Sequence, residues 1–349
     1  MSVDSTEADL EALVRPEALG ALLADRLSDD SWRDLTARLI TGGKSNLTFE
    51  VTSGGGSLVL RRPPTGTLLR GAHDMAREVT VQRALLGSAV PVADVVVFDP
   101  DGELLGVPFY VMRRLPGRTV SHELPPEWVG RTADVASLVD DLVATLAALH
   151  EVSPAAVGLG EFGRGEGFAA RQVKTWRRQY EASRTHDVPA VEELHQRLQT
   201  HTWQQQSISI VHGDYRLDNC LVSDGLPPHI TGVLDWELAT LGDPLCDLGM
   251  LLFYWPEPGE PAPVLTPAVT ASGVFPTRAT VTASYAAASS WDLSDLPAYL
   301  ALAHHKFVGI AQGIASRVAS GQMAGQDFGP LDDEIERIAT AGLAALEGI

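Results

Sequence analysis

One stretch of the chain, Val211-His212-Gly213-Asp214-Tyr215-Arg216-Leu217-Asp218-Asn219, holds an aspartate and an asparagine five positions apart behind a histidine. An apolar run then ends in Leu234-Asp235-Trp236-Glu237. The pattern H-x-D-x-x-x-x-N followed by D-x-E supplies what phosphoryl transfer asks of a protein, namely a positioned nucleophile and compensation for spreading negative charge. Asp214 is placed to accept the proton of a substrate hydroxyl. Asn219 lies far enough along the loop to reach a metal ion, and Asp235, at the end of an apolar strand pattern over 230–234, points a second hard oxygen ligand at the same chemistry. Oxygen donors of this kind suit magnesium.

Neighbouring polar residues have secondary roles to fill. His212 precedes the base and is expected to pin the loop backbone rather than move protons. Glu237 has two open readings, a ligand to a second ion or an acceptor for a backbone N–H. Asp243 and Asp247, in Gly242-Asp243-Pro244-Leu245-Cys246-Asp247, either cap the next helix or anchor the catalytic loop. Nearer the N-terminus, Gly43, Ser45 and Asn46 stand in Thr41-Gly42-Gly43-Lys44-Ser45-Asn46, a turn that can lay backbone N–H groups over phosphates. Arg61 ends the strand pattern Val59-Leu60-Arg61 where a kinase places a lysine, and Glu78 in the following helix is its expected partner. Arginine keeps its charge and can grip phosphate with two donors, but its shape differs from lysine's. A strand register one residue off would put Arg62 in that place instead.

The elements that must hold these residues can be read from periodicity. Residues 1–30 read as one or two short helices. Leu47–Val51 and Ser57–Arg61 alternate in the period of two expected of strands, with Ser53-Gly54-Gly55-Gly56 as the turn of a hairpin. A helix is expected over 73–87, then strands over 94–98 and 107–113. Past Leu115-Pro116-Gly117 long helical patterns dominate. Val135, Leu138, Val139, Leu142, Val143, Leu146 and Leu149 form the stripe of a helix facing a core. Further helices are expected at 165–183, 189–201, 294–318 and 331–347, short strands at 208–211, 219–222 and 230–234, and an irregular loop over 256–277. The expectation is an α+β, bilobal, protein-kinase-like fold. Residues 1–115 would form a small antiparallel-sheet N-lobe carrying a helical extension at 1–30, and 116–349 a larger, mostly helical C-lobe.

Composition narrows the partners. The formal charge of −19 over 349 residues argues against a nucleic-acid surface, which needs clustered lysine and arginine. No run of 18 apolar residues marks a membrane span. Acidic residues Asp4, Glu7, Asp9 and Glu11 stand where a secretory signal needs positive charge, so a cytoplasmic location is expected. Cys220 and Cys246 match no zinc or redox spacing and read as small buried residues. Only Lys44, Lys174 and Lys306 are lysines among 26 basic residues.

Taken together, His212–Asn219 and Leu234–Glu237 resemble the signature of the aminoglycoside phosphotransferase family, which also holds choline and homoserine kinases of protein-kinase-like fold. Gly43-Lys44-Ser45-Asn46-Leu47-Thr48, Val59-Leu60-Arg61-Arg62-Pro63-Pro64 and Gln172–Tyr180 resemble, more narrowly, a branch fused in some animals to acyl-CoA dehydrogenases and free-standing in many bacteria. Arginine in place of the strand lysine is usual in that branch. The resemblance implies Asp214 as the catalytic aspartate, Asn219 and Asp235 as magnesium ligands, and Arg61 with Glu78 on the phosphates. It places adenine at backbone groups of a hinge from Met112 through Arg113 to Leu115. ATP is the implied co-substrate, with GTP used by some relatives. The acceptor would be a small molecule with a hydroxyl, a hydroxyacyl-CoA or hydroxy acid ahead of an aminoglycoside. Trp176, Arg177, Tyr180, Trp255, His304 and Lys306 are candidates to line its pocket. A nucleotide- or CoA-binding protein of this fold without turnover is the alternative, and the oligomeric state is not legible.

Overall fold

The structure, a computed structural model, describes residues 7–40, 46–64, 74–261, 264–321, 328–329 and 331–348. Among them the chain divides into two compact units. One runs to Pro116 and takes back Asp235–Ala239; the other comprises Gly117–Leu234 and Thr240 onward.

The first unit is organised by an antiparallel sheet of five strands, β1 (Thr36–Leu39), β2 (Leu47–Ser53), β3 (Gly56–Arg62), β4 (Val95–Asp99) and β5 (Phe109–Arg113), in the order β1-β2-β3-β5-β4. Successive side chains of a strand point to opposite faces, so β3 serves two cores. Leu58 and Leu60 pack with Phe49, Val51 and Val111 against helix α2 (Pro16–Leu27), which contributes Leu19 and Leu23. Val59 faces the other way, with Tyr110 and Met112 of β5, onto helix α3 (Met75–Leu85) through Met75 and Val79. The same alternation settles the arginine register. Arg61 shares the α3 face, and Arg62, on the opposite face, donates to the Leu13 carbonyl of helix α1 (Glu7–Val14) at 2.7 Å. Residues 7–27 are thereby fastened to the sheet. Asp74 caps α3 by accepting from the Arg77 N–H.

The second unit is mostly helical, with α4 (Thr132–Glu151), α5 (Phe168–Ser183), α6 (Pro189–Thr200), α7 (Pro244–Phe253), α8 (Arg278–Ala288), α9 (Leu296–Ala319) and α10 (Leu331–Leu346). All seven residues of the expected α4 stripe are buried. Two short antiparallel ladders interrupt the helices: β6 (Ser209–Val211) with β9 (Thr240–Gly242), and β7 (Cys220–Val222) with β8 (Ile230–Val233). The described residues of the 256–277 stretch, 256–261 and 264–277, are irregular except for a short turn of helix at Val269–Ser272. Strands β1 and β9 have no counterpart among the expected elements, and three further elements depart from expectation. Helix α7 is buried nearly all round and so shows no stripe, α8 is too rich in alanine and threonine to show one, and β8 stops at Val233, one residue short of the expected strand. No helix among the described residues is long and apolar enough to cross a membrane.

Candidate active site

In the second unit the loop from Val211 to Cys220 is held from beneath by one buried carboxylate. Asp247, on α7, accepts the His212 N–H at 2.6 Å and the Gly213 N–H at 2.8 Å, one on each oxygen. His150 of α4 reaches the same carboxylate through Nε2 at 3.3 Å, while its Nδ1 meets the Tyr285 hydroxyl at 2.7 Å. Burial alone would raise the Asp247 carboxyl; the His150 contact and the charges around it hold it below the ordinary carboxylate range. Gly213 itself turns at φ +85°, a conformation that favours glycine. Asp243 caps α7 through the Leu245 N–H and takes the Tyr299 hydroxyl at 2.5 Å. Of the two readings open for these acids, Asp243 has the cap and Asp247 the anchor.

His212 has no freedom to act as a base. It is fully buried, its Nδ1 accepts the Asp214 N–H at 3.2 Å, and its Nε2 therefore carries the proton toward the Leu234 carbonyl at 2.8 Å. The next residue, Asp214, is gripped on Oδ2 by the Asn219 Nδ2 at 3.1 Å and by Arg216 Nε at 3.3 Å. Asn219 spends its amide nitrogen on Asp214, since Nδ2 also bonds the Asp214 carbonyl at 2.8 Å. With nitrogen so committed, the amide presents its oxygen as the donor suited to a hard cation. Arg216 pairs also with Asp218 at 3.1 Å and lies over the Tyr254 ring at 4.7 Å. The Tyr254 hydroxyl bonds Asp214; burial and that neighbour push its phenol well up.

The first unit contributes a second cluster. Arg61 Nε meets Glu78 at 3.1 Å and its terminal nitrogen meets Asp235 at 2.9 Å. Glu78 is buried and accepts also from the Tyr110 hydroxyl at 2.7 Å and the Asn46 amide at 2.9 Å. Burial pushes its carboxyl up, while Arg61 and Tyr110 oppose that shift. Asp235 adopts φ +66° just before a turn of 3-10 helix at Trp236–Leu238. Carboxylate oxygens of Glu78, Asp235 and Glu237 lie within 4.8 Å of one another, a donor set that fits magnesium. Glu237 also takes the Asn46 amide at 3.4 Å.

Other expected site residues fall as follows. Gly43 and Ser45 lie outside the described residues. Met112 is buried, facing α3. The Arg113 N–H is already bonded to the Asp94 carbonyl at 2.8 Å, and Leu115 packs beside Met112. Two acceptor-pocket candidates are core residues. Trp255 is buried with its indole N–H on the Pro276 carbonyl, and Tyr180 is buried on α5. Arg177 is paired with Glu181 and Glu192. His304 lines a cavity of about 630 Å³ with Phe253, Leu300, Phe307 and Ile338, and burial pushes its imidazole down to about 4. Sequence reasoning missed Tyr110, His150 and Tyr254, whose partners lie far away along the chain; the aromatic periods that could have flagged them look like ordinary core.

A five-stranded antiparallel sheet bearing a buried Arg–Glu pair, together with a helical unit presenting an anchored Asp–Asn loop, defines a kinase-like fold. The family model described as the phosphotransferase enzyme family matches residues 36–279. A Ralstonia eutropha protein provisionally assigned as an aminoglycoside phosphotransferase has a solved structure that is 30% identical, with a TM-score of 0.81, over 95% of this chain and 98% of that one. Acyl-CoA dehydrogenase family member 11 of Gallus gallus is 32% identical over 88% of this chain, which spans 40% of that relative's length. A thermostable mutant of aminoglycoside phosphotransferase APH(4)-Ia, solved as a ternary complex with ADP and hygromycin B, shares the fold at 14% identity, with a TM-score of 0.61 over 94% of this chain and 98% of that one. The chain belongs to the phosphotransferase enzyme family.

Proposed function

We propose that this protein is a small-molecule kinase that moves the γ-phosphoryl group of ATP, with GTP as an alternative donor, onto a hydroxyl. The acceptor oxygen bonds to the γ-phosphorus, the bond to the β-phosphate oxygen breaks, ADP leaves, and the hydroxyl proton passes to the Asp214 carboxylate. Asn219 and Asp235 are the magnesium ligands in this reading, with Glu237 beside Asp235; bound magnesium neutralises charge on the phosphate oxygens. Arg61, held by Glu78, orients the phosphates, and backbone groups from Met112 through Arg113 to Leu115 receive the base, with Gly43, Ser45 and Asn46 over the phosphates.

The observation that carries the reading is the fixing of one Asp214 oxygen by Asn219 and Arg216. A carboxylate so oriented is a positioned proton acceptor, and the same asparagine keeps its own oxygen available. The acyl-CoA dehydrogenase name of the chicken relative supports an acceptor of the hydroxyacyl-CoA or hydroxy acid class over an aminoglycoside.

The test is ADP release from MgATP over a panel of hydroxy acids, hydroxyacyl-CoA esters, choline, homoserine and aminoglycosides, with the Asp214→Asn protein as blank. Wild-type protein should turn over one class, and the blank should lose turnover while still binding MgATP. An Asp214→Asn protein as fast as wild type would overturn the assignment. MgATP binding without turnover of any class would favour a non-catalytic binding protein.

A further inference from the structure

Resting on the kinase reading, one cation that touches the Val211–Cys220 loop remains without an ion pair among the described residues. Lys306, on α9, reaches the catalytic loop and donates from Nζ to the Gly213 carbonyl at 2.6 Å. Its ammonium stands 5.5 Å from the centre of the Trp176 ring on α5. Among the described residues no carboxylate lies within ion-pair distance of it, in contrast to Arg216, Arg177, Arg278 and Arg337 of the same unit, all of which are paired. An ammonium has three donors, and a carbonyl with an aromatic face leaves it undercompensated for a half-buried group. Burial pushes it below the ordinary lysine range, and Asp214 pulls the other way.

The Tyr254 ring, whose hydroxyl bonds Asp214, packs on Phe253 and Phe307, and those two line the cavity of His304. Of that cavity's acids, Glu260 and Glu334 are each engaged by two arginine nitrogens, those of Arg278 and Arg337, while Asp333 and Glu336 are exposed. An anion at the loop would meet, in Lys306, an ammonium with no carboxylate within ion-pair distance among the described residues.

We infer that Lys306 is the specificity determinant of the acceptor, selecting alcohols that carry an anionic group and holding that group while the hydroxyl faces Asp214. The anion can be a carboxylate on the acceptor itself or phosphate on a carrier such as coenzyme A.

The experiment compares Lys306→Met with wild type on three matched sets: straight-chain hydroxycarboxylates, their primary amides, and their coenzyme A thioesters, each read as ADP release. Wild type should favour an anionic set. The Met variant should raise KM for that set about tenfold or more, the loss expected of one charge-assisted contact, and leave KM for the amides and for MgATP unchanged. Whether the carboxylates or the thioesters respond identifies the source of the anion. An equal loss on anionic and neutral acceptors would make Lys306 a structural pin of the loop and overturn the inference, as would a raised KM for MgATP. A wild-type preference for amides would overturn it too. Absence of turnover with every set, level with the Asp214→Asn blank, would instead remove the kinase reading beneath it. Lys306→Gln, of similar length and able to bond Gly213, repeats the comparison should the Met protein fail to fold.

Discussion

Asp247→Asn removes a charge from beneath the Val211–Cys220 loop and almost nothing else, and its cost can be worked from the bonds it breaks. The His212 and Gly213 N–H groups meet separate oxygens of the carboxylate at 2.6 and 2.8 Å. An amide offers a single oxygen, so one buried N–H must face an NH₂ group. Leaving a buried donor unsatisfied costs about 1–3 kcal/mol, and the surviving bond loses charge assistance worth about 1 kcal/mol. The sum is about 3 kcal/mol, measurable as a fall in urea midpoint converted through the slope of the transition. A pH series sharpens the test. The Asp247 carboxyl is depressed in the folded state, so its stabilisation is present above the unfolded value of about 3.9 and is lost as pH falls through the folded value. The wild-type and Asn curves should therefore draw together only below about pH 3.9. A midpoint within about 0.5 kcal/mol of wild type at pH 7 would mean that the loop is held by its own local bonds, with Asp247 incidental.

Two further outcomes are expected. Asp235→Ala should abolish magnesium-dependent nucleotide binding, read by calorimetry with and without the metal, and equal heats from mutant and wild type would remove Asp235 from the metal site. His305, buried against His195 with ring centres 5.4 Å apart, is pushed by burial down to about 3. Below pH ~6.5 the unfolded chain takes up a proton that the folded chain refuses, so stability should decline from there toward pH ~3 and level off beneath it, by on the order of 5 kcal/mol. Thermal melts of His305→Gln should show a shallower decline over that window; parallel curves would assign the acid sensitivity elsewhere.

The residues proposed for catalysis and metal binding on the second unit were legible because they are local. Asp214 and Asn219 sit in one loop, and a spacing of five positions survives in the sequence whatever the rest of the fold does. The β2–β3 hairpin and the α4 stripe were legible for the same reason, since each follows a period of two or of 3.6 over consecutive residues. What holds the site was not. Tyr110 reaches Glu78 across 32 residues, Lys306 reaches Gly213 across 93, and His150 reaches Asp247 across 97. No periodicity encodes such pairings. Helix α7 was expected only as the helix that Asp243 or Asp247 would cap, without bounds, because burial on every side erases the polar half of the pattern. The choice between Arg61 and Arg62 needed the strand register, and that came from which core each neighbour fills.

Asp235 carries one further consequence, in its backbone rather than its carboxylate. At φ +66° it occupies the left-handed region, where a side chain is disfavoured and glycine is at ease, although aspartate and asparagine tolerate it better than most. The chain also passes there from the second unit, which ends its segment at Leu234, into the first. An Asp235→Gly or Asp235→Asn change would ease the backbone while surrendering the charge that faces Arg61. This position therefore sets robustness and chemistry against each other. Variants chosen only for resistance to heat would drift toward glycine here, and the drift would pass unnoticed until someone asked the protein to work.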